Sequence, residues 1–415
     1  MPVDPREAAR LSVRPLLPGS PDVLRDEALR LGTGIEGLPR LATHGAVEAF
    51  ALRGLAPDET RVLEREAAAL GLAVLRDRAG RRALLLGPLQ SVAELPWRLI
   101  SFGQRTEPLG LAIADALAAN GSRSPGWRIG GGRTLPNHER TVVMGIVNVT
   151  PDSFSGDGIP DLDAAVAHGE ALAAAGADIV DVGGESTRPH STSVDVDVEM
   201  ERVLPVVRRL AERLSIPVSV DTRRAAVARA AIEAGAAIVN DIWGLRGDPG
   251  MAAVCAESDV GVVLMHNQRG TEYTELLEDV ATGLRESVAA AAAAGIDTER
   301  LVVDPGIGFG KTPAQNLEVL RRLGELRGIG RPLLVGPSRK STIGLLLREP
   351  DGSPAPHDRR LEGTLVLCAL AVERGADIVR VHDVEAAVRA MRVTDALVRG
   401  TPASLRHVPA PGPTG

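Results

Sequence analysis

Residues 142–149 read Val-Val-Met-Gly-Ile-Val-Asn-Val, an almost unbroken apolar run with an amide near its end. Continuous runs rich in β-branched residues are the mark of strands buried on both faces, as in parallel sheets. Seven more follow, at 177–184, 217–222, 236–242, 261–266, 301–306, 332–338 and 377–383. Amphipathic stretches separate them at 161–175, 196–214, 222–234, 271–294, 313–326 and 357–374, with Gly176 and Gly235 as helix stops. Eight strand–helix units over about 260 residues have the count and length of a (β/α)8 barrel. An open doubly wound sheet is the alternative. Even spacing and the lack of any edge-like strand favour the barrel.

Upstream the pattern changes. Strands are expected at 46–55, 72–76 and 82–86, with helices at 56–70 and 89–101. This predicts a small α/β domain over residues 1–120, with a ferredoxin-like half. The Gly- and Arg-rich stretch 121–135 reads as a linker, and its Ile-Gly-Gly-Gly at 129–132 as part of it. The barrel is expected over 136–400. The tail 401–415, with four prolines and two glycines, is expected to be disordered.

The 415 residues are 44% hydrophobic and 24% charged, values of a globular chain. A net charge of −7 and 2% aromatics leave no electrostatic footprint or stacking platform for nucleic acid. No run approaches the ~18 apolar residues of a membrane span, and the first ten residues lack a secretory signal's apolar core. A soluble cytoplasmic protein is expected. Cys255 and Cys368 lie far apart in Ala-rich helical stretches and read as buried thiols. Of 47 basic residues only Lys311 and Lys340 are lysines. They are candidates for places where a compact ammonium does what a planar guanidinium cannot.

Barrel chemistry gathers at the C-terminal ends of the strands. Here those ends carry Asn148, Thr187 with Arg188, Asp221, Asn240, Met265 with His266, Asp304, Lys340, and Arg380 with His382. Each has a plainer reading. Asp221 can cap a helix, Asn240-Asp241 can form a turn, and His382-Asp383 can be a buried hydrogen-bonded pair. Convergence of all of them on one face argues for a polar pocket that takes a flat heterocycle and an anion. Asp and Asn can read its N–H and C=O groups. Arg188, Arg380 and His382 supply donors to a phosphate or diphosphate. Asn148, an uncharged oxygen ligand, suits Mg2+ that already carries phosphate oxygens and water. Residues 306–312, Gly-Ile-Gly-Phe-Gly-Lys-Thr, mimic a phosphate-binding loop. The spacing fails because Pro305 stands where its first glycine must be.

The run Met144-Gly-Ile-Val-Asn-Val-Thr-Pro-Asp-Ser-Phe-Ser155 resembles the opening signature of the dihydropteroate synthase family. Asp181-Val-Gly-Gly-Glu-Ser-Thr-Arg-Pro189, Val218-Ser-Val-Asp-Thr222, Val239-Asn-Asp-Ile242 and Leu264-Met-His266 follow in the family's order. So do Asp304-Pro-Gly306 with Gly308-Phe-Gly-Lys311, Ser338-Arg-Lys340 and Arg380-Val-His-Asp383. The resemblance covers about residues 140–400. It implies a pterin-binding TIM barrel that joins 7,8-dihydropterin-6-ylmethyl diphosphate to 4-aminobenzoate. It implies Mg2+ at Asn148, pterin contacts from Asp221, Asn240, Asp304 and Lys340, with Met265 and Phe309 beside the substrates, and diphosphate contacts from Arg380 and His382. Thr187, Arg188 and Ser338 would border the aminobenzoate. Asp221, Lys340, Arg380 and His382 form the implied catalytic set, in a homodimer with these small-molecule substrates as its partners. The chain departs from the family pattern at Gly156-Asp157, at His190 and in the longer loop 267–270. A pterin-dependent methyltransferase is the enzymatic rival, and a pterin-binding protein without turnover the non-enzymatic one. The methyltransferase would need no diphosphate clamp, and intact candidates at all eight strand ends argue against a protein without turnover.

Overall fold

The computed structural model describes residues 12–16, 47–121, 126–136, 139–150, 161–185 and 194–400. The expected disordered tail, 401–415, lies outside them. The chain forms two compact units, one of residues 1–123 with 322–330, the other of 124–321 and 331–415.

The first unit has four strands, β1 (Ser12–Leu16), β2 (Val47–Arg53), β3 (Ala73–Arg76) and β4 (Arg82–Pro88), in the antiparallel order β1-β2-β4-β3. Helices α1 (Pro57–Ala69) and α2 (Leu89–Ser101) follow β2 and β4, and α3 (Glu107–Gly121) packs against α2. Phe50, Leu63, Leu85, Leu95, Leu99 and Ile113 fill its core. With β4 inserted between β2 and β3, the unit has the ferredoxin-like half expected from the sequence. Two elements were not legible there. Pro15 argues against a strand, yet β1 is an edge strand, where a missing N–H is tolerated. In α3 the apolar residues run around the helix, so no stripe marks it. Gly110 lets α3 approach α2, since a Cβ there would stand 2.8 Å from the Pro96 carbonyl.

The second unit opens with a hairpin of β5 (Trp127–Ile129) and β6 (Arg133–Leu135). This corrects the reading of 121–135 as a linker throughout. Trp127 and Ile129 alternate with Arg128, and Gly131 and Gly132 take the positive φ of 74° and 67° that the turn needs. The eight expected strands follow as β7 (Val142–Asn148), β8 (Ile179–Gly183), β9 (Val218–Asp221), β10 (Ile238–Asp241), β11 (Gly261–Met265), β12 (Leu301–Asp304), β13 (Leu334–Val335) and β14 (Ile378–Val381). All pair in parallel, and β14 pairs back onto β7. A bridge between Val303 and Leu333 closes the ring at its thinnest joint. The result is the (β/α)8 barrel, with helices between the strands.

The hairpin seals the N-terminal end of this barrel. Trp127 and Ile129 join Val142, Met144, Ile179, Ile238, Val263, Val302, Leu334 and Ile378 in one buried cluster. The Trp127 indole donates to the Arg300 carbonyl at 2.9 Å. Gly261 makes room for both side chains, because a Cβ there would meet Ile129 at 2.7 Å and Trp127 at 3.1 Å. Trp127→Ala should therefore destabilise the barrel by about 3–5 kcal/mol through the cavity it leaves. Trp127→Phe should cost nearer 1 kcal/mol, for the lost hydrogen bond. Urea unfolding followed by far-UV circular dichroism measures both.

Candidate active site

Buried parallel strands carry the site because their C-terminal ends open onto the loops that follow them. Asn148 on β7 pairs in register with Gly183, Gly183 with Asp221, and Asp221 with Asn240, so three polar side chains stand in one ring of the barrel. A cavity of about 390 Å³ opens above them. Asn148, Asp221, Phe309, Ser338, Lys340, Arg380 and His382, all expected from the sequence, line it. Asn240, Met265 and Asp304 are buried and are not among its lining residues. Thr187 and Arg188 lie outside the described residues, as do Asp157 and His190.

A charge cluster organises the floor. Arg380 donates from Nε to Asp181 at 2.6 Å and from Nη2 to Asp221 at 2.7 Å. Asn240 donates its amide N–H to the same Asp181 oxygen at 3.0 Å, which leaves Asn240 Oδ1 as an acceptor. Asp181 is fully buried. The second oxygens of both Asp181 and Asp221 are buried without a partner among the described residues. Such orphans are costly unless a ligand supplies the missing donors. Burial pushes the Asp221 carboxyl up to about 7 against the pull of Arg380, with Asp181 adding to the rise. Burial likewise raises Asp304 to about 6, although it accepts the Gly306 N–H at 2.7 Å.

The loop after β13 presents two side chains by strain. Arg339 adopts φ 54°, which a side-chain-bearing residue rarely does. It is held by a two-point ion pair with Asp383 at 3.0 and 2.6 Å. Its N–H donates to Thr364 Oγ1 at 3.1 Å, and its carbonyl accepts Arg360 Nη1 at 2.8 Å. Ser338 and Lys340, on either side, thereby both line the cavity. Ser338 Oγ accepts the His382 backbone N–H at 3.2 Å and lies 2.9 Å from His382 Nδ1. A serine hydroxyl that donates to Nδ1 fixes the tautomer with the proton on Nε2, a donor suited to an anion. The Lys340 ammonium sits 4.2 Å from the centre of the Phe309 ring.

Asp181 is the residue whose importance the sequence reading missed. Its signal was there, in a carboxylate between Val180 and Val182 on a strand buried along its length, where an unpaired charge cannot stand. Ser341, Arg360 and His357 also line the cavity without having been expected. Lys311, in the loop that mimics a phosphate site, is buried and bonded to backbone carbonyls, which agrees with the rejection of that motif.

The model of the family described as pterin binding enzyme matches residues 144–382. The chain belongs to that family. It is 48% identical over 265 residues to the dihydropteroate synthase of Bacillus subtilis, covering 64% of this chain and 91% of the relative. The structure of the Clostridium difficile dihydropteroate synthase, determined in the presence of pteroic acid, has a TM-score of 0.61 and 47% identity, covering 64% of this chain and all of that one. The Xanthomonas albilineans dihydropteroate synthase with 4-aminobenzoic acid has a TM-score of 0.61 and 46% identity, covering 66% and 98%. Within the family, this chain is a transferase with the function of a dihydropteroate synthase.

The charge cluster makes a distinct stability prediction. Arg380→Met leaves two buried carboxylates facing each other and should cost about 3–5 kcal/mol at pH 8. The folded-state value of Asp221 is raised, so its carboxyl is most easily accommodated when protonated, and that advantage is lost as pH rises through about 7. The deficit of Arg380→Met should thus shrink at pH 5.5. Urea unfolding at the two pH values gives the comparison.

Proposed function

We propose that the residues of this cavity carry the synthase reaction in a defined division of labour. The orphan acceptor oxygen of Asp221, on the wall of a cavity, is the observation that supports it best. A dihydropterin offers adjacent N–H groups, and Asp221 with Asn240 Oδ1 offers acceptors for them. Asp304 adds a third acceptor below the cavity, with Met265 packing beside it. Lys340 donates to the pterin's carbonyl or ring nitrogen, and Phe309 gives a flat apolar surface. Thr187, Arg188 and Ser338 border the 4-aminobenzoate.

His382 and the cavity-lining part of Arg380 face the diphosphate. Two of the three Arg380 nitrogens are committed to Asp181 and Asp221. Arg380 accordingly acts as much on the pterin acceptors as on the leaving group. The amine of 4-aminobenzoate is a weak nucleophile, so the bond from the pterin methylene carbon to the diphosphate oxygen breaks first. Positive charge spreads into the dihydropterin and negative charge departs with the diphosphate toward His382 and Arg380. The amine nitrogen then bonds to the methylene and releases its proton, giving 7,8-dihydropteroate.

Mg2+ fits this site as an ion brought by the substrate. Among the described residues no cluster of His, Cys, Asp or Glu has the makings of a protein-only metal site. Asn148 lines the cavity, and its amide makes no hydrogen bond to described residues. One uncharged oxygen, with diphosphate oxygens and water, is a donor set that Mg2+ accepts. When bound, the ion would offset charge on the leaving diphosphate.

A homodimer is part of the proposal. Helices Leu361–Glu373 and Val384–Val398 pack together and leave Val366, Leu370, Val393 and Leu397 exposed, Leu397 by 82%. An apolar face of this kind marks an interaction site. The cytoplasmic location rests on the two buried free thiols, Cys255 and Cys368, which suit a reducing compartment.

Three measurements test this reading. Lys340→Arg should lower kcat/KM by about a hundredfold or more, since a planar guanidinium cannot replace a point donor over Phe309; unchanged turnover would overturn the role. In the wild type, kcat/KM should rise with pH through about 7, where Asp221 gains its charge, and Asp221→Asn should flatten that limb at a much lower rate. Val393→Asp with Leu397→Glu should give a monomer by light scattering.

A further inference from the structure

We infer that Lys311, which contributes nothing to the cavity lining, is a positioning residue for the reaction, setting the 306–310 turn and through it the Phe309 ring and the Lys340 ammonium. The inference rests on the proposed placement of Phe309 and Lys340 at the substrate.

An ammonium has three protons and needs three acceptors when buried. Lys311 Nζ has three, the Gly306 carbonyl, the Phe309 carbonyl and His266 Nδ1, each at 3.2 Å. Burial and the neighbouring cations lower His266 to about 3, so its ring is neutral and Nδ1 accepts. Lys311 is itself only 8% exposed, and burial lowers its ammonium to about 7 against the pull of Asp304, so the three acceptors are complete for the protonated form. A planar guanidinium cannot point three N–H groups at acceptors converging on one atom, which gives this position a reason to be lysine in a chain of arginines.

What the ammonium holds is a turn with little stiffness of its own. Gly306, Gly308 and Gly310 all have positive φ, at 71°, 83° and 55°. Side chains are excluded there, since a Cβ on Gly306 would stand 2.1 Å from the His266 carbonyl and one on Gly308 would stand 2.9 Å from Lys340 Cδ. Glycine leaves the peptide planes free to turn, so the direction of the carbonyls has to be set from outside. Asn316 Oδ1 takes the Gly308 N–H at 2.8 Å, and Tyr273 donates to the Gly310 carbonyl at 2.9 Å. Lys311 adds the two carbonyls that flank Ile307 and Gly308, and its bond to the Phe309 carbonyl fixes the residue whose ring lies 4.2 Å from Lys340 Nζ. The Gly306 N–H completes the link to the floor through Asp304. The two lysines thus serve one loop, one holding its backbone and the other resting on its ring.

A double-mutant cycle on the full chain tests this. Lys311→Met should lower kcat/KM for the dihydropterin diphosphate about tenfold to a hundredfold. Lys311→Arg should fail to restore it, and Lys311→Gln, with two donor protons, should restore part. Phe309→Leu should lower it as well, and adding Lys311→Met to Phe309→Leu should cost far less than the product of the two losses, because both act on one contact. Unchanged kcat/KM in Lys311→Met, or losses that simply multiply, would overturn the inference. Unchanged kinetics in Phe309→Leu would instead remove the group through which Lys311 acts, faulting the placement of Phe309. Should Lys311→Met fail to fold, Lys311→Gln completes the same cycle.

Discussion

The pairing of one guanidinium with two buried carboxylates governs the rest of this site. Arg380 bridges Asp181 and Asp221 at 2.6 and 2.7 Å, on strands whose other buried side chains are mostly apolar. Two carboxylates on adjacent strands cannot both be ionised in such a place without a cation between them. Because Arg380 engages one oxygen of each, it leaves the other two oxygens buried without a partner among the described residues. The same pairing orients Asn240, whose amide N–H is drawn to Asp181. Fold and recognition meet here, since Asp181, Asp221, Asn240 and Arg380 each come from a different strand. The ring must close for the cluster to exist.

The remaining polar groups are held by devices that cost stability locally. Arg339 keeps a left-handed backbone because Asp383, Thr364 and Arg360 each grip it. The glycine-rich turn after β12 keeps its carbonyls aimed inward because Lys311 collects them. Strain of the kind stored at Arg339 persists where surrounding structure over-determines it. Lys340 is the beneficiary of both, since it follows the strained residue and lies over the held ring.

All eight barrel strands and six of the helices between them were legible, because buried parallel strands write themselves as continuous apolar runs; the six-residue helices Met251–Ala256 and Ser341–Leu346 are too short to show a period of their own. The strand-end candidates were legible for a related reason, that a polar residue is conspicuous against such runs. What stayed hidden has physical causes. Asp181 looked like one more strand residue because its significance depends on Arg380, 199 positions away. The hairpin at Trp127 looked like a linker because five glycines and three arginines in 121–135 outweigh its few apolar residues in composition, although Trp127 and Ile129 do the packing. Strand β1 carried a proline that only an edge position excuses, and α3 lacked a polar stripe to give its period away. Nothing in the sequence of Arg339 announces its positive φ, which follows from partners scattered over Arg360, Thr364 and Asp383.

The unpaired oxygen of Asp221, on the cavity wall, has a consequence for what the pocket turns away. A ring that offers a lone pair at that point would set it against an oxygen lone pair whenever Asp221 is ionised, with no proton between them. Such a guest cannot be accommodated by small shifts, because the acceptor is anchored by the same arginine that keeps the barrel floor intact. Sites that leave buried polar groups unsatisfied by the wrong molecule discriminate far more sharply than apolar pockets of matching shape. Among flat bicyclic compounds of similar size, the pocket therefore sorts by hydrogen-bond polarity before it sorts by outline.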